Sequence, residues 1–297
     1  MLSRRLLLSA PALLPAVTLA QGGRPAELVF AVVPAENAAG VTERYNPFVE
    51  YMSRAIGTRV TLRVASDYAA VIEGQRSGSI HFAFYGPSAF ARALMTGAQV
   101  EAFLIEVNED GSKGYYSVFY VRRDTPFQSV QDLRGKNLGL VDPNSTSGNN
   151  VPRFALSRMG INPEQFFGRV VYAGSHENAV IALQQGTVDV AANWWNDERE
   201  SNLMRMERKG MVRAADFRIV FRSEQIVNSP MAWLAALPAE TKAAIRGAML
   251  ALPQREPALF QRMTDGKQRP WEPVDNAAYQ PIVELNRFVD NLRRQRS

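Results

Sequence analysis

Runs that suit a strand and runs that suit a helix take turns along most of this chain, and that alternation restricts the fold more than any other feature. LVFAVV (28–33) is a continuous apolar run, and in NPFVEYMSRAIG the residues Phe48, Val49, Met52, Ala55 and Ile56 share one helical face that Gly57 stops. VTLRVAS (60–66) alternates, DYAAVIEGQRSG predicts a short helix, IHFAFYG (80–86) a strand, and PSAFARALMTG a helix opened by Pro87 and closed by Gly97. VEAFLIEV and YYSVFYVRR (115–123) predict further strands. A second cycle follows with NLGLVD, a helix ending at Met159, RVVYAG, HENAVIALQQG, VDVAANW, a polar helix around Asp197 to Lys209, and FRIVFRS. Such alternation implies an α/β protein with parallel or mixed sheets.

After Ile226 the pattern changes, and residues 239–252, 256–264 and 279–294 predict helices with little sign of new strands. Two α/β units and a helical tail fit a two-lobed protein whose chain starts in lobe one, crosses to lobe two and returns to finish on lobe one. The expected division is residues 26–122 and 230–297 in lobe one and 123–229 in lobe two. The crossings then fall near Arg122 to Pro126 and Ser223 to Pro230. A chain of 297 residues that is 46% hydrophobic can bury the core this requires.

MLSRRLLLSAPALLPAVTLA has a basic start, an apolar stretch interrupted by prolines, and small residues near Ala20. That is the build of a signal peptide over residues 1–20, too short and too broken to span a bilayer. SRRLLL also resembles a twin-arginine export signal, and both routes lead to the periplasm. Nothing later in the sequence is apolar enough to cross a membrane, so stable membrane insertion is not expected. The net charge of +5 includes Arg4 and Arg5 of this leader. The remaining excess is small and scattered, which argues against nucleic acid. The absence of cysteine excludes disulfides and thiolate metal sites, and two separated histidines, His81 and His176, offer no ligand cluster. No metal, other cofactor or enzymatic activity is expected, because Ser145 in NSTSG also lacks the glycine pattern of a nucleophile elbow.

In open α/β sheets ligands sit beyond the carboxyl ends of strands, where the following helices begin. Four such junctions carry polar or glycine caps: Ser66-Asp67-Tyr68, Tyr85-Gly86-Pro87-Ser88, Ser145-Thr146-Ser147-Gly148 and Gly174-Ser175-His176. A helix start leaves unpaired N–H groups and a partial positive charge, so it attracts anions. Ser66, Asp67 and Ser175 suit plain caps. Three consecutive hydroxyls exceed what one cap requires, so Ser145, Thr146 and Ser147 point to a ligand. Pro152 shortly afterwards requires the helix there to start late or bend.

DPNSTSG followed by VP, the YGPSA turn, DGSKGYYSV, AGSHENAV and GTVDVAAN, in that order, resemble the substrate-binding proteins of phosphonate ABC importers. The resemblance runs from about Leu28 to Trp233. It implies an α/β two-lobed periplasmic-binding-protein fold, with the chain crossing twice between lobes, whose cleft closes on a small phosphorus oxyanion, a phosphonate, phosphite or phosphate, and delivers it to an ABC permease in the inner membrane. By the same resemblance Tyr68 from lobe one and Ser145, Thr146, Ser147 and His176 from lobe two hold the oxyanion, with Ser88 at the YGPS turn. Tyr85 and Tyr115 then lie near the substituent on phosphorus. Relatives selective for 2-aminoethylphosphonate place acidic side chains against its ammonium group. Asn196 and Ser229 stand at those positions here, and neither carries charge. A same-fold binding protein for a sulfonate, another oxyanion or a vitamin precursor, or a periplasmic ligand sensor, is the alternative.

No lysine or arginine lies within the hydroxyl motif or the His176 turn. Hydrogen bonds to a charged group contribute roughly 1.5–3 kcal/mol each. Five or six of them with two helix ends give about 10–20 kcal/mol gross. Micromolar binding needs ~8 kcal/mol net after an association cost of roughly 4–15 kcal/mol. A site without a basic clamp is therefore feasible, provided that closure excludes water.

Overall fold

The computed structural model describes residues 25–294. The signal-peptide reading of residues 1–20 lies outside them. The first unit runs β1 (Glu27–Val32), α1 (Ala38–Ile56), β2 (Arg59–Val64), α2 (Tyr68–Arg76), β3 (Phe82–Phe84), α3 (Pro87–Met95) and β4 (Val100–Asn108). The second runs β5 (Gly114–Arg122), β6 (Asn137–Leu140), α4 (Val151–Arg158), α5 (Pro163–Phe166), β7 (Arg169–Tyr172), α6 (His176–Gln184), β8 (Val190–Asp197), β9 (Glu200–Ser201), α7 (Asn202–Arg208), β10 (Phe217–Arg222) and β11 (Ile226–Val227). The chain ends with β12 (Pro230–Leu234), α8 (Ala239–Arg255), α9 (Pro257–Thr264), β13 (Gln268–Pro273) and α10 (Gln280–Arg294). None of the described helices is long and apolar enough to cross a membrane.

Among the described residues, two mixed sheets result. One has the order β13-β4-β12-β3-β1-β2, the other β10-β5-β8-β6-β7, with β11 on β5 and β9 on β8. The parallel pairs β1·β2, β1·β3, β6·β7 and β6·β8 carry α/β crossovers, as the alternation predicts. Helices cover these strands, so Leu28, Phe30 and Val32 pack with Phe48, Met52, Phe82 and Met249 in one core. Phe119, Leu133, Leu138, Leu140 and Val190 form another.

Three expectations are corrected. The tail is not purely helical: β12 is a central strand, bonded to both β3 and β4, and β13 closes the edge. Pro230 is tolerated as a first strand residue, and the prolines of QRPWEP are tolerated on an edge strand, where one side needs no ladder partner. The stacked pair Phe103–Trp233, 3.9 Å between ring centroids, then holds β12 on β4. The polar helix begins at Asn202, not Asp197, because Asp197 Oδ1 accepts from the N–H groups of Arg199 and Glu200 and turns the chain into a hairpin. The first crossing also falls earlier than Arg122 to Pro126: β5 belongs to the second sheet, so the chain changes units between Asn108 and Gly114. A strand pattern does not reveal which sheet a strand joins. Here the tight turn at Gly111, with φ 91°, redirects the chain before β5.

The return crossing lies at Asn228 and Ser229 and is tied to the first. Asn228 N–H donates to Lys113 O at 2.9 Å, while its Nδ2 donates to Glu106 O and Asn108 Oδ1. The helix α10 straddles both units. Asp290 pairs with Arg92 of α3 at 2.7 Å, whereas Arg293 donates to Tyr172 at 2.7 Å and Phe288 meets Phe154 of α4 edge-on.

Candidate functional site

The hydroxyl motif is shaped by local sequence before any ligand is considered. Asp142 Oδ1 accepts from Asn144 N–H at 2.7 Å, and Ser145 N–H donates to Asp142 O, which curls the chain after β6. Residues Thr146–Asn150 then form one wide π-helical turn before α4. This late start accommodates Pro152 in the first turn of α4, where its missing N–H costs nothing. Gly148 is obligatory: a Cβ there would stand 2.3 Å from Val141 Cγ2 and 2.7 Å from Ser145 Oγ. Asn149 and Asn150 both donate to Pro143 O, and Ser117 Oγ of β5 donates to Ser147 O at 2.7 Å.

These contacts leave hydroxyl protons available. Ser145 Oγ accepts from Gly148 N–H at 3.1 Å. Thr146 Oγ1 accepts from Ser88 N–H at 2.8 Å, a bond from the first turn of α3 across to the other unit. Each oxygen thus receives a backbone donor and keeps its own O–H to donate elsewhere.

Around them closes a cavity of ≈ 140 Å³, far above the ~10–15 Å³ that one water needs on this measure. Its wall includes Tyr68, Tyr85, Tyr115, Ser145, Thr146, Ser147, His176, Asn196 and Ser229. The N-terminal ends of α2, α3 and α6, with Tyr68, Gly86 and His176, and the Thr146 turn all reach it. Nine of the ten residues singled out in the sequence therefore come together. Ser88 does not: its side chain is fully buried off the cavity wall, and the turn contributes its backbone N–H to Thr146 instead. Asp67 and Ser175 are plain caps, accepting from Ala70 and Asn178 N–H.

Electrostatics follow from burial. The Tyr68 phenol is pushed up by burial and by Asp142, against the opposing effect of the Ser145 hydroxyl. Tyr115 is pushed up by burial, opposed by Thr146 and Ser147 beside it. Both phenols keep their protons and can donate. Tyr85 lies on the wall, but its hydroxyl is used internally by Val71 O. His176 is 4% exposed, and burial lowers its pKa to about 3, against the Asn193 hydrogen bond and with Arg205 adding to the fall. Its imidazole is neutral at ordinary pH.

Several wall residues were not legible in the sequence. Glu106 of β4 is raised to about 7 by burial, although Gln268 Nε2, 2.5 Å from its Oε1, the Arg205 charge and the Ser229 hydroxyl pull the other way. No lysine or arginine among the described residues pairs with it. Asn196 Nδ2 donates to Asn108 Oδ1 at 3.2 Å, close by. Arg205 and Lys267 also reach the wall, so the cavity is not free of basic side chains, although the hydroxyl motif is. Arg205 is engaged with Asp265 at 2.7 Å and Glu36 at 3.5 Å. Glu36 pairs with Arg44 at 2.8 Å and Lys209 at 2.5 Å, and Lys209 also reaches Glu177 at 2.7 Å. Burial alone would raise Glu36, but Arg205, Arg44 and Lys209 outweigh it and lower its pKa to about 2. Glu36, Arg44 and Asp265 belong to one unit, and Glu177, Arg205 and Lys209 to the other, so this rim bridges the cleft.

The chain is similar to known proteins over most of its length. Residues 30–279 match the family described as ABC transporter, phosphonate, periplasmic substrate-binding protein. The phosphonates-binding periplasmic protein of Escherichia coli (strain K12) is 32% identical over 219 residues, covering 72% of this chain and 63% of that protein, a little under two thirds of its length. The phosphate-import protein PhnD of Mycolicibacterium smegmatis is 30% identical over 218 residues, 71% of this chain and 67% of that one. A binding protein component of an ABC phosphonate transporter from Pseudomonas aeruginosa superposes with a TM-score of 0.80 at 26% identity, covering 90% of this chain and 87% of that chain. PhnD1 from Prochlorococcus marinus, solved in complex with methylphosphonate, shares the fold at a TM-score of 0.77 and 18% identity, covering 90% of this chain and 99% of that one. Matched over most of its length, with a two-lobed α/β fold in common, the chain belongs to the family of periplasmic phosphonate substrate-binding proteins of ABC transporters.

Proposed function

We propose that this protein is the periplasmic substrate-binding component of an ABC importer. It takes up a phosphonate or a related phosphorus oxyanion, phosphite or phosphate, and hands it to a permease in the inner membrane. One observation carries the reading: the neutral donors Tyr68, Ser145, Thr146 and Ser147 meet at helix starts on one cavity between two units. Helix starts and neutral O–H groups favour a small anion there, and closure strengthens each bond by excluding water.

Glu106 widens the range of substituents. The uncharged Asn196 and Ser229 alone would leave an ammonium group without a counter-ion, at a penalty of several kcal/mol. Glu106, close to both and in no salt bridge among the described residues, supplies that counter-ion. Aminoalkyl phosphonates are therefore candidate ligands alongside simpler ones.

A thermal-shift panel of phosphate, phosphite, methylphosphonate, 2-aminoethylphosphonate, sulfate and taurine tests the reading. A ligand at one hundred times its Kd stabilises by about 2.7 kcal/mol, a rise near 5 °C for a protein of this size. At least one phosphorus compound is expected to give that rise and the sulfur compounds none. A panel in which only sulfate or taurine stabilises contradicts the proposal.

A further inference from the structure

His176 is held in one tautomer, and that tautomer determines which oxyanions fit. Asn193 of β8 receives the Trp194 N–H on Oδ1 at 3.0 Å and donates from Nδ2 to His176 O at 3.0 Å. A backbone N–H can only donate and a backbone carbonyl can only accept, so the Asn193 amide has one orientation. Its Oδ1 also lies 3.0 Å from His176 Nδ1, which must therefore carry the proton. In a neutral imidazole this leaves Nε2 with a bare lone pair. Nε2 stands on the cavity side, with Ser145 Oγ, 3.5 Å away, its one recorded polar neighbour. Nε2 is thus a buried acceptor whose single protein donor is the Ser145 hydroxyl at a long 3.5 Å, on a wall that both residues share.

Resting on the functional reading above, we propose that His176 Nε2 accepts a hydrogen bond from a protonated ligand oxygen, and that Asn193 positions it to do so. The complex then holds one proton between the ligand and Nε2, delivered on the ligand itself. Phosphorus oxyanions can bring that proton near neutral pH, since a second ionisation at about 6, as in a phosphate monoester, still leaves about a tenth of the groups singly protonated one pH unit higher. Sulfate and alkyl sulfonates carry none, so an anionic oxygen would face a bare nitrogen lone pair. Selection of phosphorus over sulfur follows from one nitrogen.

Ser145 is the one donor facing Nε2, at a long 3.5 Å that a ligand hydroxyl at ordinary distance would displace, and the other groups around His176 supply none. Arg205 of α7 is engaged by Asp265 and Glu36, and Glu200 of β9 is engaged by Arg208 at 2.8 Å. Glu177, next in sequence, is bound by Lys209 and by Asn37 from the other unit. Tyr68 of α2 lies beside Ser145, Tyr115 of β5 beside Thr146 and Ser147, and Asp142 at the end of β6 accepts from Asn144 N–H. Glu106 of β4, raised to about 7, is a cavity group that changes charge near neutral pH, whereas His176 stays neutral there.

Two measurements test the proposal. In protein labelled with ¹⁵N-histidine, the two histidines are expected in opposite tautomers. His176 should carry its proton on Nδ1, whereas His81, whose Nδ1 accepts from Val29 N–H at 3.0 Å, should carry it on Nε2. A proton on His176 Nε2 overturns the proposal. Binding of phosphate, methylphosphonate, phosphite, 2-aminoethylphosphonate, sulfate and methanesulfonate is then followed from pH 5.5 to 9, in the wild type and in Glu106→Gln, which removes the competing titration. Phosphorus ligands should weaken about tenfold per pH unit beyond each ligand's own second ionisation, in both proteins. Asn193→Asp, which favours a charged imidazole, should tighten sulfate at least tenfold. Affinity for phosphorus ligands that is level or rising through the second ionisation overturns the inference alone. No binding of phosphate, methylphosphonate, phosphite or 2-aminoethylphosphonate at any pH removes the functional reading and the inference with it.

Discussion

The cavity wall and the rim that closes it are built in opposite ways. On the wall, Tyr68, Ser145, Thr146 and Ser147 present neutral hydroxyls at helix starts. At the rim, Glu36, Asp265, Arg44, Arg205 and Lys209 present full charges that neutralise one another across the two units. A neutral donor can serve a guest because it leaves no buried charge behind when the guest departs. A buried charge needs a permanent partner. The wall is therefore suited to exchange of a ligand and the rim to holding two surfaces together.

That contrast is open to direct attack. The largest expected effect is on the wall: Thr146→Ala with His176→Ala removes two contacts worth about 1.5–3 kcal/mol each to a charged ligand. Binding of methylphosphonate, measured by calorimetry, should fall more than about a hundredfold, with the unliganded melting point lowered far less. Loss of folding instead of loss of binding would mean that these residues serve the core.

Glu36→Gln tests the rim and should cost about 3–5 kcal/mol of stability, because Arg44, Arg205 and Lys209 lose a buried counter-ion together. The Glu36 carboxyl is lowered in the folded protein, so its contribution is fully present above the ordinary value near 4.5 and is lost as pH falls towards 2. Denaturant titrations of the wild type at pH 6 and pH 3 should therefore differ by more than those of the variant. Equal pH dependence in both would detach Glu36 from the rim.

The smallest effect concerns Glu106, a wall carboxyl that forms no salt bridge among the described residues and feels Arg205 only at longer range. Its folded pKa is raised, so the unliganded protein loses stability as pH rises from 4.5 through about 7. Glu106→Gln should recover about 2–3 kcal/mol at pH 9 and almost nothing at pH 4. A variant less stable than the wild type at pH 9 would show that the carboxylate is paired after all.

The same contrast explains how much could be read from the sequence. The wall is local: Ser145 to Gly148 are consecutive, and Tyr68 and His176 each open a helix whose cap is written beside it, so short motifs disclose them. The rim is assembled from the turn after β1, α1, α6, α7 and the residue after α9, and no spacing announces that Glu36 and Lys209 will meet. Glu106 was hidden for a different reason. It sits inside the strand run VEAFLIEV, where one charged residue normally marks a solvent face, and only the packing of β13 and the return crossing turns that face inward. The strand β12 escaped notice because five residues following the turn at Asn228 and Ser229 lack an alternating pattern. Burial on both faces of a central strand removes the polar half of the repeat.

The account's central claim is that the oxyanion is held by neutral donors at helix starts, with the basic side chains kept for the rim. A crystal structure of the complex with methylphosphonate measures this most directly. The phosphonate oxygens should lie within hydrogen-bond distance of Tyr68, Ser145, Thr146, Ser147 and His176, with no lysine or arginine nitrogen within 4 Å and the Arg205 pairs to Glu36 and Asp265 intact. A phosphonate clamped by Arg205 or Lys267, with the rim pairs broken to reach it, would contradict the account.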